Sequence, residues 1–217
     1  MNKKLWSKKP KNITSGIESL LSGEDILLDQ KLFLLDIKAS FAHTNELLAI
    51  NILTKSEANK IKKQLRILEK KYINNTFKLN SDYEDSHSAI ELFLTDELGT
   101  IGAKIHTGRS RNDQVLVALR LYAREALEQL RDINIDISES LLKQADHNKN
   151  LVFPGYTHMQ KAMASSWGLW FSSFAESFLD NIDLINHTHS WININPLGSA
   201  AGYGVNLPIK RDISTSE

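Results

Sequence analysis

The sequence contains no cysteine, few prolines and no excess of charge of either sign. The lack of cysteine excludes disulfides, thiolate nucleophiles and cysteine-based zinc sites. Basic and acidic residues are equal at 26 each, which argues against a nucleic-acid-binding protein or a polybasic membrane surface. No apolar run approaches the roughly 18 residues that span a bilayer, and the N-terminus lacks the apolar stretch of a secretion signal. We therefore expect a cytoplasmic protein that does not bind membranes.

Only four prolines occur among the 217 residues, and none lies between Lys11 and Phe153. No stretch alternates convincingly with a period of two, whereas apolar residues recur at helical spacing through most of the chain. These patterns predict an all-α fold. They place helices at residues 29–50, 56–72 and 85–98, with a polar loop at residues 74–85.

Two further periodic stretches predict unusually long helices, each on the order of 40–50 Å at 1.5 Å per residue. Helices this long and apolar need partners, which predicts a helical bundle completed in part by other subunits. The aromatic side chains of the second stretch indicate core rather than a cofactor site. The two series are Leu116, Leu119, Ala123, Leu127, Leu130, Ile133, Ile137 and Leu141, and, after Pro154, Trp167, Trp170, Phe174, Phe178, Ile182, Ile185, His189 and Ile192.

The segment KIHTGRSRNDQ, residues 104–114, concentrates cations and neutral hydrogen-bond donors just before the first long helix. Ser110 followed by Asp113 fits a capping box, so the helix is expected to begin near Arg111. The unpaired N–H groups of a helix start, with arginine beside them, can bind a carboxylate or a phosphate. An ordinary capped helix with solvated arginines is the competing interpretation.

Three segments together resemble the argininosuccinate lyase family of the fumarase/aspartase superfamily. The resemblance extends over essentially the whole chain and implies an N-terminal helical domain at residues 1–105, followed at 106–217 by the first part of a central bundle of long helices. The segments are HTGRSRNDQ at 106–114, PGYTHMQKA at 154–162 and NPLGSAAGYGVNLPIKR at 195–211.

The family splits argininosuccinate into arginine and fumarate, the last step of arginine biosynthesis, by an elimination. A base removes a proton next to a carboxylate, and an acid helps the guanidino nitrogen to leave. Negative charge accumulates on that carboxylate, so donors must already surround it. The resemblance implies no metal and no organic cofactor.

The resemblance also implies roles for individual residues. His158 corresponds to the histidine assigned as proton acceptor, acting directly or by orienting another group. The implied substrate-binding residues are Ser110, Arg111, Asn112, Thr157, His87 and Gln160.

Several neighbouring residues receive structural expectations. Arg109 is expected to pair with nearby acids, and His106 to be a buried residue that holds a loop. Glu91 lies one helical turn after His87 and could hydrogen-bond to it. Four further histidines without a motif are expected to be solvated or at the edge of the core: His43, His147, His187 and His189.

The glycines of the third segment, Gly198, Gly202 and Gly204, do not have the spacing of a dinucleotide-binding fingerprint. We expect them to mark a backbone turn close to the site. Asp25 occupies a position where the family usually has a serine that contacts substrate, so it could instead meet a guanidinium or amino group, or its loop could be displaced.

The family is roughly twice as long as this chain, and its remaining half carries a mobile loop with a serine assigned as a proton-transfer group. We therefore expect no turnover from these residues alone. Family members are tetramers whose sites combine segments of three subunits, so a homotetramer with shared sites is expected. The alternatives are a lyase for another succinyl adduct and a non-catalytic, crystallin-like helical scaffold.

Overall fold

The computed structural model describes residues 25–80 and 82–216, and this part of the chain is mainly helical. The chain divides into two compact units. One contains the described residues up to Tyr122 together with those from Asn195 onward, and the other is Ala123–Ile194. The domain boundary expected at residue 105 stays a prediction. No helix in residues 25–80 and 82–216 is both long and apolar enough to cross a bilayer.

The first unit begins with a series of short and medium helices. They are α1 (Asp25–Asp29), α2 (Phe33–Ala49), α3 (Lys55–Ile73), α4 (Ser86–Leu98) and α5 (Thr100–Ala103), followed by a single 3₁₀ turn at Lys104–His106. The α2, α3 and α4 helices confirm the three predicted helices, and the polar stretch before α4 contains neither helix nor strand in its described residues. The last helix of this unit, α8 (Arg211–Thr215), packs against α2.

Local sequence explains where α3 and α4 begin. Thr54 and Glu57 form a reciprocal capping box, with the Glu57 N–H donating to Thr54 Oγ1 at 3.2 Å. Asp85 caps α4 by accepting from the Ser88 N–H at 2.7 Å. Both caps satisfy N–H groups that a helix start would otherwise leave unpaired.

The core of the first unit is built from the apolar faces of α2, α3 and α4. Phe33 is fully buried there and stacks on Phe77, with 5.6 Å between the ring centroids. Its other fully or nearly fully buried members are Ile37, Leu47, Leu53, Ala58, Ile61, Leu65, Leu68, Leu79, Ala89, Ile90, Leu94 and Ile105.

The long helix α6 (Arg111–His147) begins in the first unit and continues into the second. Its 37 residues make it about 55 Å long, since each residue adds 1.5 Å. The helix start predicted near Arg111 is confirmed.

The second unit pairs the distal part of α6 with α7 (Trp167–Ile192). Asn134 lies within 3.4 Å of Asn181, and Glu128 within 3.3 Å of His189, so the two helices run antiparallel. At their near ends Gly168 fits against α6, where a Cβ would lie 3.0 Å from the Ala145 carbonyl oxygen.

A β-hairpin, β1 (Val152–Thr157) and β2 (Gln160–Ser166), connects these long helices. The sequence analysis predicted no strand here, and that expectation is wrong. The apolar series that it assigned to the second long helix begins at Trp167, where α7 begins. The strands pair antiparallel with an irregularity between Pro154 and Tyr156. Most of their side chains are exposed, so the hairpin carries no apolar alternation that would reveal it.

Candidate active site

The residues before α6 are arranged by hydrogen bonds within the TGRSRND segment. The Ser110 N–H donates to Asp113 Oδ1 at 2.9 Å, and Ser110 Oγ accepts from the Asn112 N–H at 3.3 Å. The predicted capping box is therefore present in modified form, because the Ser110 hydroxyl accepts from the backbone N–H of Asn112. This arrangement holds Ser110, Arg111 and Asn112 together at the N-terminus of the helix.

Asp113 also fastens the third segment to this helix start. Its carboxylate is 1% exposed, and its Oδ2 accepts from the N–H groups of Gly198 at 3.0 Å and Ala200 at 2.9 Å. Gly198 and Ala200 both have positive φ, 94° and 49°, which confirms the predicted backbone turn. One buried carboxylate thus joins the start of α6 to Gly198 and Ala200, which follow Asp113 by 85 and 87 positions.

Arg109 is buried at 8% exposure and donates from Nη1 to Ser40 Oγ at 3.2 Å. Burial lowers the pKa of its guanidinium, although the carboxylates of Asp36 and Asp113 oppose this effect. Arg109 is thus buried near the predicted acids, while its structural role stays a prediction.

Arg111 lies beside two acids of the loop before α4. Its Nη1 is 2.7 Å from Glu84 Oε1, and its Nη2 is 2.6 Å from Asp85 Oδ2. The side chain remains 37% exposed, and Asn112 next to it is exposed. Both side chains could reach a ligand, but the positive charge of Arg111 is already partly balanced.

His87 occupies the first turn of α4 and is 5% exposed. Its Nδ1 lies 2.5 Å from Asp36 Oδ2, which also accepts from Ser86 Oγ at 2.9 Å. The partner predicted for His87 is therefore wrong. Glu91 instead lies 3.4 Å from Nδ1 of His106.

Two expectations about other histidines are also wrong. His106 is 47% exposed rather than buried. His43, on the buried face of α2, is 1% exposed rather than solvated or at the edge of the core. Its Nε2 lies 2.9 Å from the Thr107 carbonyl oxygen and its Nδ1 lies 3.3 Å from Glu46 Oε2.

Thr157, His158 and Gln160 lie at the tip of the β-hairpin. Thr157 pairs with Gln160 across a two-residue turn formed by His158 and Met159. Both turn residues have positive φ, 50° and 62°, as a type I′ turn requires. Non-glycine residues adopt this conformation at a cost. The side chains of Thr157, His158 and Gln160 are exposed.

Sequence reasoning missed the buried acids that organise the first unit, Asp36 above all. A signal was present, since Asp36 and His43 both fall on the otherwise apolar face of α2. A charged residue at such a position requires a partner, and the partners come from distant segments. Asp25 lies at the start of α1, but its side chain lies outside the described residues.

The predicted site residues fall in both compact units. Ser110, Arg111, Asn112 and His87 belong to the first, and Thr157, His158 and Gln160 belong to the second. Within residues 25–80 and 82–216 there is no group of three or more histidine, cysteine or acidic side chains that could hold a metal ion.

Comparison with known proteins identifies the family. A family model described as a lyase matches residues 20–216. The chain belongs to this lyase family. Its resemblance to argininosuccinate lyases, and through them to the N-terminal part of fumarase/aspartase superfamily members, is likewise confirmed.

Curated relatives and solved structures give the extent of the similarity. The argininosuccinate lyase of Xylella fastidiosa is 49% identical over 212 residues, which are 98% of this chain and 48% of that protein. A variant of EDDS lyase with bound fumarate superposes with a TM-score of 0.77 at 26% identity, covering 92% of this chain and 39% of that one. A β-carboxy-cis,cis-muconate cycloisomerase from Acinetobacter calcoaceticus, 19% identical, has a TM-score of 0.71 over 88% of this chain and 46% of its own, and shows the fold alone.

The chain spans about half the length of the curated relatives that it matches. For these residues, the comparisons establish the lyase family and the structure establishes the all-α fold. The substrate, the activity and the oligomeric assembly are properties of the whole protein.

Proposed function

We propose that the protein is an argininosuccinate lyase, which eliminates fumarate from argininosuccinate and leaves arginine. The observation that carries this proposal is the 49% identity to an argininosuccinate lyase over 98% of the chain. The unbroken TGRSRND and GYTH segments support it, because they hold the polar side chains that the family places around the substrate.

In the proposed reaction, His158 accepts the proton from the carbon next to a substrate carboxylate, directly or through a group that it orients. The carbon–carbon double bond of fumarate forms as the carbon–nitrogen bond breaks, and the departing guanidino nitrogen receives a proton. Thr157 binds the carboxylate on which negative charge accumulates, where hydrogen-bond donors have most effect. Exposure of both side chains on the hairpin is compatible with these roles.

The remaining proposed contacts come from the first unit and from the other strand of the hairpin. Ser110 and Asn112 supply neutral donors at the start of α6, and Arg111 supplies a guanidinium. His87 and Gln160 complete the substrate-binding set. No metal or organic cofactor is part of the proposal.

We further propose that the whole protein is a cytoplasmic homotetramer with sites shared between subunits. Large apolar side chains on the long helices support the oligomer, because they remain exposed in the isolated chain. Ile133 on α6 is 52% exposed, and Leu184 and Trp191 on α7 are 66% and 76% exposed.

The test joins this chain to the C-terminal part of the Xylella relative and follows fumarate release by ultraviolet absorbance. We expect release from argininosuccinate, and a loss of roughly 10²–10⁴-fold in kcat for His158→Asn, the range for a general base. His187→Asn is the matched control, because His187 is an exposed histidine on α7.

Equal activity of the two histidine variants would remove the proposed role of His158. A folded, tetrameric hybrid that releases no fumarate from argininosuccinate would contradict the function itself. It would favour the non-catalytic scaffold.

A second candidate is a lyase for another succinyl adduct, favoured by the similarity to EDDS lyase. Product inhibition separates the two candidates. Arginine should inhibit an argininosuccinate lyase competitively, whereas it should leave a lyase with a different amine product unaffected.

A further inference from the structure

The closest ion pair involving a predicted site residue joins α2 to α4. Asp36 is fully buried and its Oδ2 lies 2.5 Å from Nδ1 of His87, 51 positions along the chain. Ser86 donates its hydroxyl hydrogen to the same oxygen at 2.9 Å. The Ser86 N–H donates to Asp29 Oδ2 at 2.8 Å, which holds the start of α4 in place.

This geometry fixes the tautomer of His87. An ionised carboxylate can only accept hydrogen bonds, so the hydrogen must lie on Nδ1. The other nitrogen, Nε2, is buried and has no hydrogen-bond partner among the described residues. A buried polar atom without a hydrogen-bond partner is energetically costly. The unpaired Nε2 of His87 therefore points to a partner that arrives with a ligand.

The charges that face His87 come from four segments. Asp36 on α2 and Asp85 before α4 favour the protonated ring, whereas Arg109 disfavours it, and Asp29 on α1 also interacts with it electrostatically. Burial, the largest single influence, would lower the pKa of His87, but the Asp36 and Asp85 carboxylates together raise that pKa above its ordinary value. The ring therefore carries a hydrogen on Nε2 over a wider pH range than an ordinary histidine.

We propose that Asp36 is a positioning residue that holds His87 with its Nε2–H directed to a carboxylate of the substrate. A carboxylate is the ligand of choice because it accepts a charge-assisted hydrogen bond from an imidazolium. Asp36 itself does not touch the substrate. The inference rests on the proposed function, since that function supplies the carboxylate.

The geometry can be tested without any turnover. Nitrogen-15 NMR of histidine-labelled chain, with His87 assigned from a His87→Gln variant, reports the position of the ring hydrogen. We expect a titration midpoint above 6.5 and, at higher pH, a neutral ring protonated on Nδ1. A neutral ring protonated on Nε2 would overturn the proposal.

The variant Asp36→Asn keeps the shape of the side chain and removes its charge. We expect the His87 midpoint to fall and the KM of the hybrid enzyme for argininosuccinate to rise about tenfold, the effect of losing one charge-assisted hydrogen bond. Because the imidazolium can be restored by acid, the ratio of variant to parent KM should fall towards one as the pH is lowered, while their kcat values stay similar at each pH.

Glu91→Gln is the matched control, because it removes a carboxylate of the same helix that lies beside His106 instead. It should leave the His87 midpoint unchanged. If Asp36→Asn also leaves both the His87 midpoint and KM unchanged, Asp36 does not position His87. Fumarate release by the parent enzyme would still support the proposed function in that case. If the parent hybrid releases no fumarate, the proposed function fails, while the NMR result still decides the pairing. Should Asp36→Asn not fold, the tautomer measured on the unmodified chain remains decisive.

Discussion

Asp113→Asn should destabilise the first unit, because the buried wild-type carboxylate serves three backbone donors. Its Oδ1 accepts from Ser110, and its Oδ2 accepts from both Gly198 and Ala200. An asparagine that turns its oxygen to the latter pair must direct its own N–H₂ group at the Ser110 N–H. At least one donor is then left unpaired in a site that is 1% exposed.

The magnitude follows from two losses. An unsatisfied buried donor costs about 1–3 kcal/mol, and the remaining bonds lose their charge assistance. We expect a decrease of about 1–3 kcal/mol in the free energy of unfolding, a substantial share of the roughly 5–15 kcal/mol typical of a folded protein.

Urea unfolding followed by far-ultraviolet circular dichroism measures this decrease, and Asp136→Asn on the exposed side of the same helix is its control. The control should change stability by no more than about 0.5 kcal/mol. Hydrogen exchange gives a local readout, because the amides of Gly198 and Ala200 should exchange faster in Asp113→Asn. Equal unfolding midpoints for the two variants, with unchanged exchange at these amides, would refute the reasoning.

Three further outcomes are expected. The difference in free energy of unfolding between wild type and His87→Gln should be largest below about pH 6.5 and decline as the pH rises through the raised pKa of His87. Urea unfolding at several pH values measures it, and a difference that does not change with pH would contradict the pairing. Gly102→Ala should lower the thermal unfolding midpoint far more than the exposed change Thr100→Ala, because its Cβ would lie 2.0 Å from the Leu94 carbonyl oxygen. Met159→Gly should raise the thermal midpoint of the chain slightly by relieving the positive φ of 62°, worth about 1 kcal/mol, and a lower midpoint would argue against the turn geometry.

The helical elements could be predicted because their information is local. Apolar residues at helical spacing located α2, α3 and α4, and the Ser110–Asp113 pattern located the start of α6. Helical periodicity and capping depend on residues within about one turn of each other, so they can be read from short windows of sequence. The motif wording likewise sufficed to identify the lyase family, which the comparisons confirm.

The β-hairpin escaped prediction for a definite reason. A strand is recognised by apolar residues that alternate with polar ones when one face is buried. Here most side chains of both strands are exposed, so no burial imposed that alternation on the sequence. Only the structure places His158 at the tip of two paired strands.

The sequence by itself determined the main helices and the family, and it predicted a set of polar residues for the site. The tertiary structure decided which of those residues are partners. Sequence proximity suggested Glu91 for His87, yet packing of α2 against α4 gives that histidine to Asp36 and leaves Glu91 beside His106. A buried charge takes whichever partner the fold brings within hydrogen-bond distance, and that depends on how distant helix faces meet rather than on spacing along the chain.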